Sequence, residues 1–216
     1  MLPLITTLAL SAPATPPNGT YHYALTLAGE TLGRNAITVS RDAAGNVVLS
    51  ETGSGNMNGQ TGSVQDTFML DPALVPASYQ AVASVADTRN MHTTLTFNGN
   101  QAKQTGDVTK TYTLSADAKH FVMLDFVSFT GFFALPAQMR AWDNATVCAI
   151  VPMYARLASI SVDPSLKPAR PQTVPPEDAQ ISVAKPVQFT LWYNPKTLIV
   201  DELDAPTEGF TVKRTP

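Results

Sequence analysis

Residues able to do chemistry are few in this chain and lie far apart. The three histidines, His22, His92 and His120, stand outside metal-ligand spacing of one another and of the single cysteine, Cys148. Cys148 belongs to the apolar run Val147-Cys148-Ala149-Ile150-Val151, the setting of a buried, inert thiol; a nucleophile would want a histidine and an electropositive surround. Ser182-Val183-Ala184-Lys185 spells the Ser-x-x-Lys of penicillin-recognising enzymes. That chemistry needs both side chains on one helical face, whereas the β-branched neighbours and Pro186 predict a strand, which sends them to opposite faces. Asp201, Glu202, Asp204 and Glu208 are spread over a strand and a turn and read as a solvated edge, not as the converging oxygens calcium requires. His120, with Asp117 and Asp125 near it in sequence, could form a polar pair at a cavity rim. These residues assign no catalytic group, no metal ligand and no cofactor, and the reading leans away from an enzyme. A hydrolase assembled from distant strands would leave no local motif; its signature would be a converging His-Asp-Ser or paired-carboxylate cluster.

The anomaly is apolar. Between Phe121 and Met139 the chain concentrates phenylalanine and methionine, with Met123, Phe126, Phe129, Phe133 and Met139 as candidate ligand-binding residues. Two readings stay open: these side chains are ordinary core, or they wall an apolar pocket between a helix and a sheet. The spacing, nearer 3.6 than 2, predicts a helix over about 118–130 with an irregular or helical extension to Arg140, bent or split at Gly131 and Pro136.

Strands must position that block. Thr20–Leu27 alternates, with Tyr21, Tyr23, Leu25 and Leu27 on one face; Ala36–Ser40, Val47–Ser50, Val64–Leu70, Tyr79–Val85, Met91–Phe97, Gln101–Thr105 and Lys110–Leu114 follow the same rule. Asp42–Asn46 and Asn98-Gly99 read as hairpin turns. Gly53–Ser63, rich in Gly, Asn and Ser, reads as a mobile loop. After the helical block, Thr146–Val151, Tyr154–Val162, Val187–Tyr193, Leu198–Leu203 and Phe210–Lys213 return to strand. The proline-rich segment over 163–178 cannot donate ladder hydrogen bonds and reads as a long exposed loop. The roughly 40 residues beyond it are too few to stand alone. They are expected to close the sheet that Tyr21 begins.

The expected fold is therefore mainly β: an antiparallel sheet of roughly ten strands, curved into a half-barrel, with one apolar helical insertion around 118–140. Residues 15–216 read as one domain. Residues 1–14 read as a signal peptide, an apolar run ending in Ala12-x-Ala14 without a preceding basic residue, which places the mature chain outside the cytoplasm. Charged residues make up 14% of the chain, against about 25% for an average soluble domain. With a net charge of -3 and scattered basic residues, nothing invites a nucleic acid. No segment reaches the roughly 20 apolar residues of a membrane-spanning helix.

Two motifs carry a resemblance. Phe68-Met69-Leu70-Asp71-Pro72 followed by Leu74-Val75-Pro76-Ala77-Ser78-Tyr79, and Leu191-Trp192-Tyr193-Asn194-Pro195-Lys196-Thr197-Leu198-Ile199-Val200-Asp201-Glu202-Leu203, resemble exported bacterial families with the half-barrel architecture of the LolA/LolB-like lipoprotein carriers and sensors. The resemblance implies an extracytoplasmic site and an apolar small molecule or lipid as partner, and it supplies no catalytic residues. The expected function is an exported, non-catalytic protein that binds an apolar ligand in the concavity of its sheet or serves envelope maintenance. An exported hydrolase and a structural or adhesive module are the alternatives.

Overall fold

The computed structural model describes residues 13–57, 60–85, 89–125, 127–185 and 187–216. Residues 1–12, most of the segment expected as a signal peptide, lie outside that set. Eight strands run in chain order as an antiparallel meander: β1 (Gly19–Leu27), β2 (Glu30–Arg41), β3 (Val47–Met57), β4 (Gln60–Leu70), β5 (Pro76–Val85), β6 (Arg89–Asn98), β7 (Gln101–Gly106) and β8 (Lys110–Thr113). The chain then leaves this sheet for β9 (His120–Met123), α1 (Thr130–Ala141), β10 (Val147–Val151) and β11 (Arg156–Ile160). It returns with β12 (Ala179–Val183), β13 (Phe189–Tyr193), β14 (Val200–Ala205) and β15 (Phe210–Thr215). β15 pairs with β1, so the large sheet has twelve strands in the order β12-β13-β14-β15-β1-β2-β3-β4-β5-β6-β7-β8. The tail joins the sheet that Tyr21 begins, as its short length required. Tyr23 reinforces the junction by donating its hydroxyl to the Val200 carbonyl at 2.9 Å.

Alternation fills one face of this curved, open sheet. Tyr23, Ile37, Leu49, Phe68, Tyr79, Leu95 and Leu203 are all buried and belong to a single core cluster with β9, α1 and β10. β9 and β10 pair in parallel, with α1 in the connection between them, and β11 completes a three-stranded sheet. The expected helix over 118–130 is thereby corrected. Phe121, Val122 and Met123 form a strand buried on both faces, and a strand buried on both faces reads as a continuous apolar run, without the period of 2 that would identify it. The helix starts at Thr130, and all its residues through Met139 are buried, Gly131 and Pro136 included. Gly131 is a packing requirement: a Cβ there would sit 1.8 Å from the Met123 carbonyl oxygen, so the first turn of α1 can lie on β9 only without one.

Two further expectations change. Gly53–Ser63 is paired strand wherever it is described, with Gly53 opposite Val64 and Gly55 opposite Gly62. Here glycine serves close approach, since a Cβ on Gly33 would meet the Ser54 carbonyl oxygen at 2.3 Å. The β6–β7 hairpin forms as expected, but its two-residue turn is Gly99-Asn100, with Gly99 at φ 58° and Asn98 paired to Gln101. The large sheet has twelve strands where roughly ten were expected, and the described strand that the sequence did not mark is β9, whose burial on both faces leaves no alternation. The 163–178 segment is irregular, as its prolines dictate. It is also anchored: Leu166 accepts from the Gln180 amide at 2.8 Å, and Thr173 donates to Glu202 at 2.9 Å. It lies against the face that carries Gln180, Trp192 and Glu202, where Trp192 is buried.

Candidate functional site

The glycines of β3 and β4 remove side chains from the inner face of the sheet, and a pocket opens there. It holds about 260 Å³ and has walls from Leu25, Leu27, Leu32, Val64, Val127 and Phe210, with the backbones of Gly53, Gly55 and Gly62 between them. Its polar lining comes from Asn35, Asn56, Gln60 and the serines of β3–β5. Few polar groups on a mostly apolar concavity is the usual make-up of a small-molecule site, though the volume falls just below the lower end, about 300 Å³, for drug-sized ligands.

Beside the pocket lies a buried acidic cluster. Glu51 on β3 and Asp66 on β4 are direct cross-strand partners, 1% and 5% exposed. Glu51 caps α1 from a distance. Its Oε2 accepts the Ser128 hydroxyl at 3.2 Å, the Phe129 N–H at 2.6 Å and the Thr130 N–H at 3.1 Å, and its Oε1 accepts the Asn35 amide. Phe129, at the N-cap position, has no side chain able to do this, so the carboxylate of another strand answers the free N–H groups and the positive end of the helix dipole. Asp66 has weaker support: the Ser128 and Thr130 hydroxyls lie beside it, but neither of its buried oxygens makes a hydrogen bond of ordinary geometry. Asp125 accepts the Tyr79 hydroxyl at 3.3 Å and the Val127 N–H at 3.2 Å.

Burial is the main influence on all three acids. It pushes Asp66 and Asp125 up to about 6 and, with the neighbouring Asp66, holds Glu51 well above the ordinary carboxylate range. Glu51 and Asp66 therefore titrate as a pair. Donors converge on Glu51, and the Ser128 and Thr130 hydroxyls lie beside Asp66, so the pair's proton is shared between the two carboxyls.

Of the candidate ligand residues, Met123, Phe129, Phe133 and Met139 are buried in the core, at most 3% exposed, and none lines the pocket. Phe129 and Phe133 pack against the Tyr23 ring at centroid distances of 4.9 and 6.2 Å. Phe126 lies outside the described residues. His120 does sit at a rim, stacked on Trp142 at 4.2 Å beside a second, more polar pocket, while Asp125 is turned away toward Tyr79. Of the acidic tail, expected as a solvated edge, only Glu208 is exposed, and Asp204 is half-buried. Asp201 is 8% and Glu202 6% exposed, and Asp201 pairs with Arg214 at 2.6 Å. Ser182 lies on a strand and is buried, as its neighbours predicted.

Sequence reasoning missed Glu51, Asp66 and the pocket. One signal was available: Glu51 occupies an inward position of the register Val47, Leu49, Glu51, and Asp66 an inward position of Val64, Asp66, Phe68. A charged residue on the apolar side of a strand marks a buried partner or a site.

No family model matches the chain, and no curated protein matches it. Among solved structures it is similar to a β-barrel-like protein of the domain of unknown function DUF1849 from Brucella abortus. Identity is 12%, the TM-score is 0.54, and the match covers 94% of this chain and 97% of the other. A DUF1089 family protein from Pseudomonas aeruginosa is more distant, with 9% identity and a TM-score of 0.42 over 96% of this chain and 98% of the other. The first likeness shows a β-barrel-like fold. It carries nothing specific to lipoprotein carriers.

Proposed function

We propose that this chain is a non-catalytic binding module that takes an apolar small molecule or a single acyl chain into the pocket at the glycine-rich end of β2–β5. One observation carries this reading: the sheet gives up its side chains at Gly53, Gly55 and Gly62 where leucines and Phe210 surround the opening, so apolar surface is left uncovered in a concavity. The Ala12-x-Ala14 leader and low charge support placing the protein outside the cytoplasm. Paired carboxylates are the observation that favours a hydrolase. Yet Glu51 spends its oxygens on Asn35, Ser128, Phe129 and Thr130, and both acids are closed off from solvent, so the pair presents no open face to a substrate.

The test is binding of the uncharged fluorophore N-phenylnaphthylamine. Ala83 lines the pocket and is small, so Ala83→Phe should fill the space and abolish binding. Phe133→Ala, in the core, should lose about 3–5 kcal/mol of stability to denaturant and keep its affinity. Unchanged binding by Ala83→Phe would move the ligand elsewhere.

A further inference from the structure

The pocket and the carboxylate pair share two strands. Glu51 pairs with Asp66, the next pair, Thr52 and Gln65, is exposed, and the one after it, Gly53 and Val64, lines the pocket. The acids thus lie one inward-facing position away, about 7 Å along the strands. Two connections bridge that gap. Asn35 lines the pocket and donates its amide to Glu51. Val127 lines the pocket too, gives its N–H to Asp125, and is followed directly by Ser128, Phe129 and Thr130, whose hydroxyl and N–H groups are held by Glu51. One wall is therefore pinned by carboxylates. Asp66, beside them, is buried with neither oxygen in a hydrogen bond of ordinary geometry.

We propose that uptake of an apolar ligand in this pocket is coupled to a proton held between Glu51 and Asp66: the ligand binds while the pair keeps the proton and leaves when the pair loses it. The coupling rests on reading the pocket as the ligand site. With one proton the pair carries one charge, answered by the donors aimed at Glu51. Without it, two anions face each other across adjacent strands, and the Ser128 and Thr130 hydroxyls beside Asp66 are engaged with Glu51 and with each other and do not meet its oxygens in good hydrogen-bond geometry. Water completes the solvation of the second charge, and the pocket, through Asn35, adjoins the pair. A hydrated pocket holds an apolar ligand poorly. By reciprocity, a ligand that dries the pocket tightens the pair's hold on its proton.

Other titratable groups face the pair. Tyr23 from β1 and Tyr79 from β5 are both pushed well above 10 by burial and stay neutral; Asp125, pushed up to about 6, titrates in the same range and is separated by its own variant.

N-phenylnaphthylamine titrations from about pH 5 to about pH 8 test the coupling. Wild-type affinity should fall by about tenfold or more across this range, Asp66→Asn should bind with pH-independent affinity, and Asp125→Asn should keep the wild-type slope. Calorimetry of the wild type near pH 7, in two buffers of different ionisation enthalpy, should show net proton uptake on binding, a readout that needs no variant to fold. A flat wild-type profile without proton uptake overturns the coupling and leaves the pocket standing. An Asp66→Asn protein that keeps the wild-type slope, or an Asp125→Asn protein that loses it, assigns the proton elsewhere and overturns it as well. Failure of the probe to bind at any pH overturns the pocket itself, and the coupling with it.

Discussion

At the scale of the residue, the buried acids have a consequence for stability that opposes the usual one. A carboxyl whose folded pKa is raised binds its proton more tightly in the folded chain than in the unfolded one. Its contribution is fully present below the unfolded value, near 4, and is lost as pH rises through about 6. A shift of this size corresponds to about 3 kcal/mol per group at most. Thermal unfolding should therefore show a melting temperature that falls between about pH 4 and about pH 7, and Asp125→Asn should flatten part of that fall. Asp42 and Asp163, held below the ordinary range by hydrogen bonds from Asn46 and Ser165, act in the opposite sense at lower pH. A melting temperature that climbs steadily from pH 4 to pH 7 would show that Asp66 and Asp125 are hydrated in solution.

At the scale of the element, α1 is an unusual helix whose surroundings compensate for its sequence. It lacks a capping side chain at Phe129, has no acidic residue in its first turn, and carries Gly131 and Pro136, both poor helix formers. Burial of every residue from Thr130 to Met139 and the Glu51 carboxylate supply what local propensity does not. Gly131→Ala, which would improve an isolated helix, should here destabilise by about 1–3 kcal/mol or more, because the added methyl meets the Met123 carbonyl. Urea denaturation measures this. A neutral or stabilising result would show that α1 can lift off β9 at little cost.

At the scale of the whole molecule, β15 joins the two runs of the large sheet by pairing with both β14 and β1, so the first and last described strands meet in one ladder. Near the start of the described chain, Arg41 bonds to the Thr15 hydroxyl and, at 2.7 Å, to Asn18, which ties the segment following Ala14 to β2. A cut after Ala14 would leave these anchors in place. Protein recovered from its native host should accordingly begin at or near Thr15, read by terminal sequencing or intact mass. Recovery with Met1 intact would remove the case for export.

The alternating segments were legible in the sequence because a strand with one face on the core and one on solvent writes a period of 2 into its residues. Thr20–Leu27 and Met91–Phe97 are strands for that reason, and the proline-rich segment lies outside the sheets for the converse reason that it lacks donors. Where both faces are buried the period vanishes, and only the tertiary structure could distinguish β9 from a helix or show that α1 begins at Thr130. The site was hidden for a related cause. Glu51 and Asp66 are fifteen positions apart and become neighbours only through the β3–β4 register, and the pocket is made by what glycine omits, on strands whose composition otherwise spells a loop. Local pattern determined which segments would be strands; pairing between distant segments decided which side chains meet, since that depends on register and packing, which no short stretch of sequence contains.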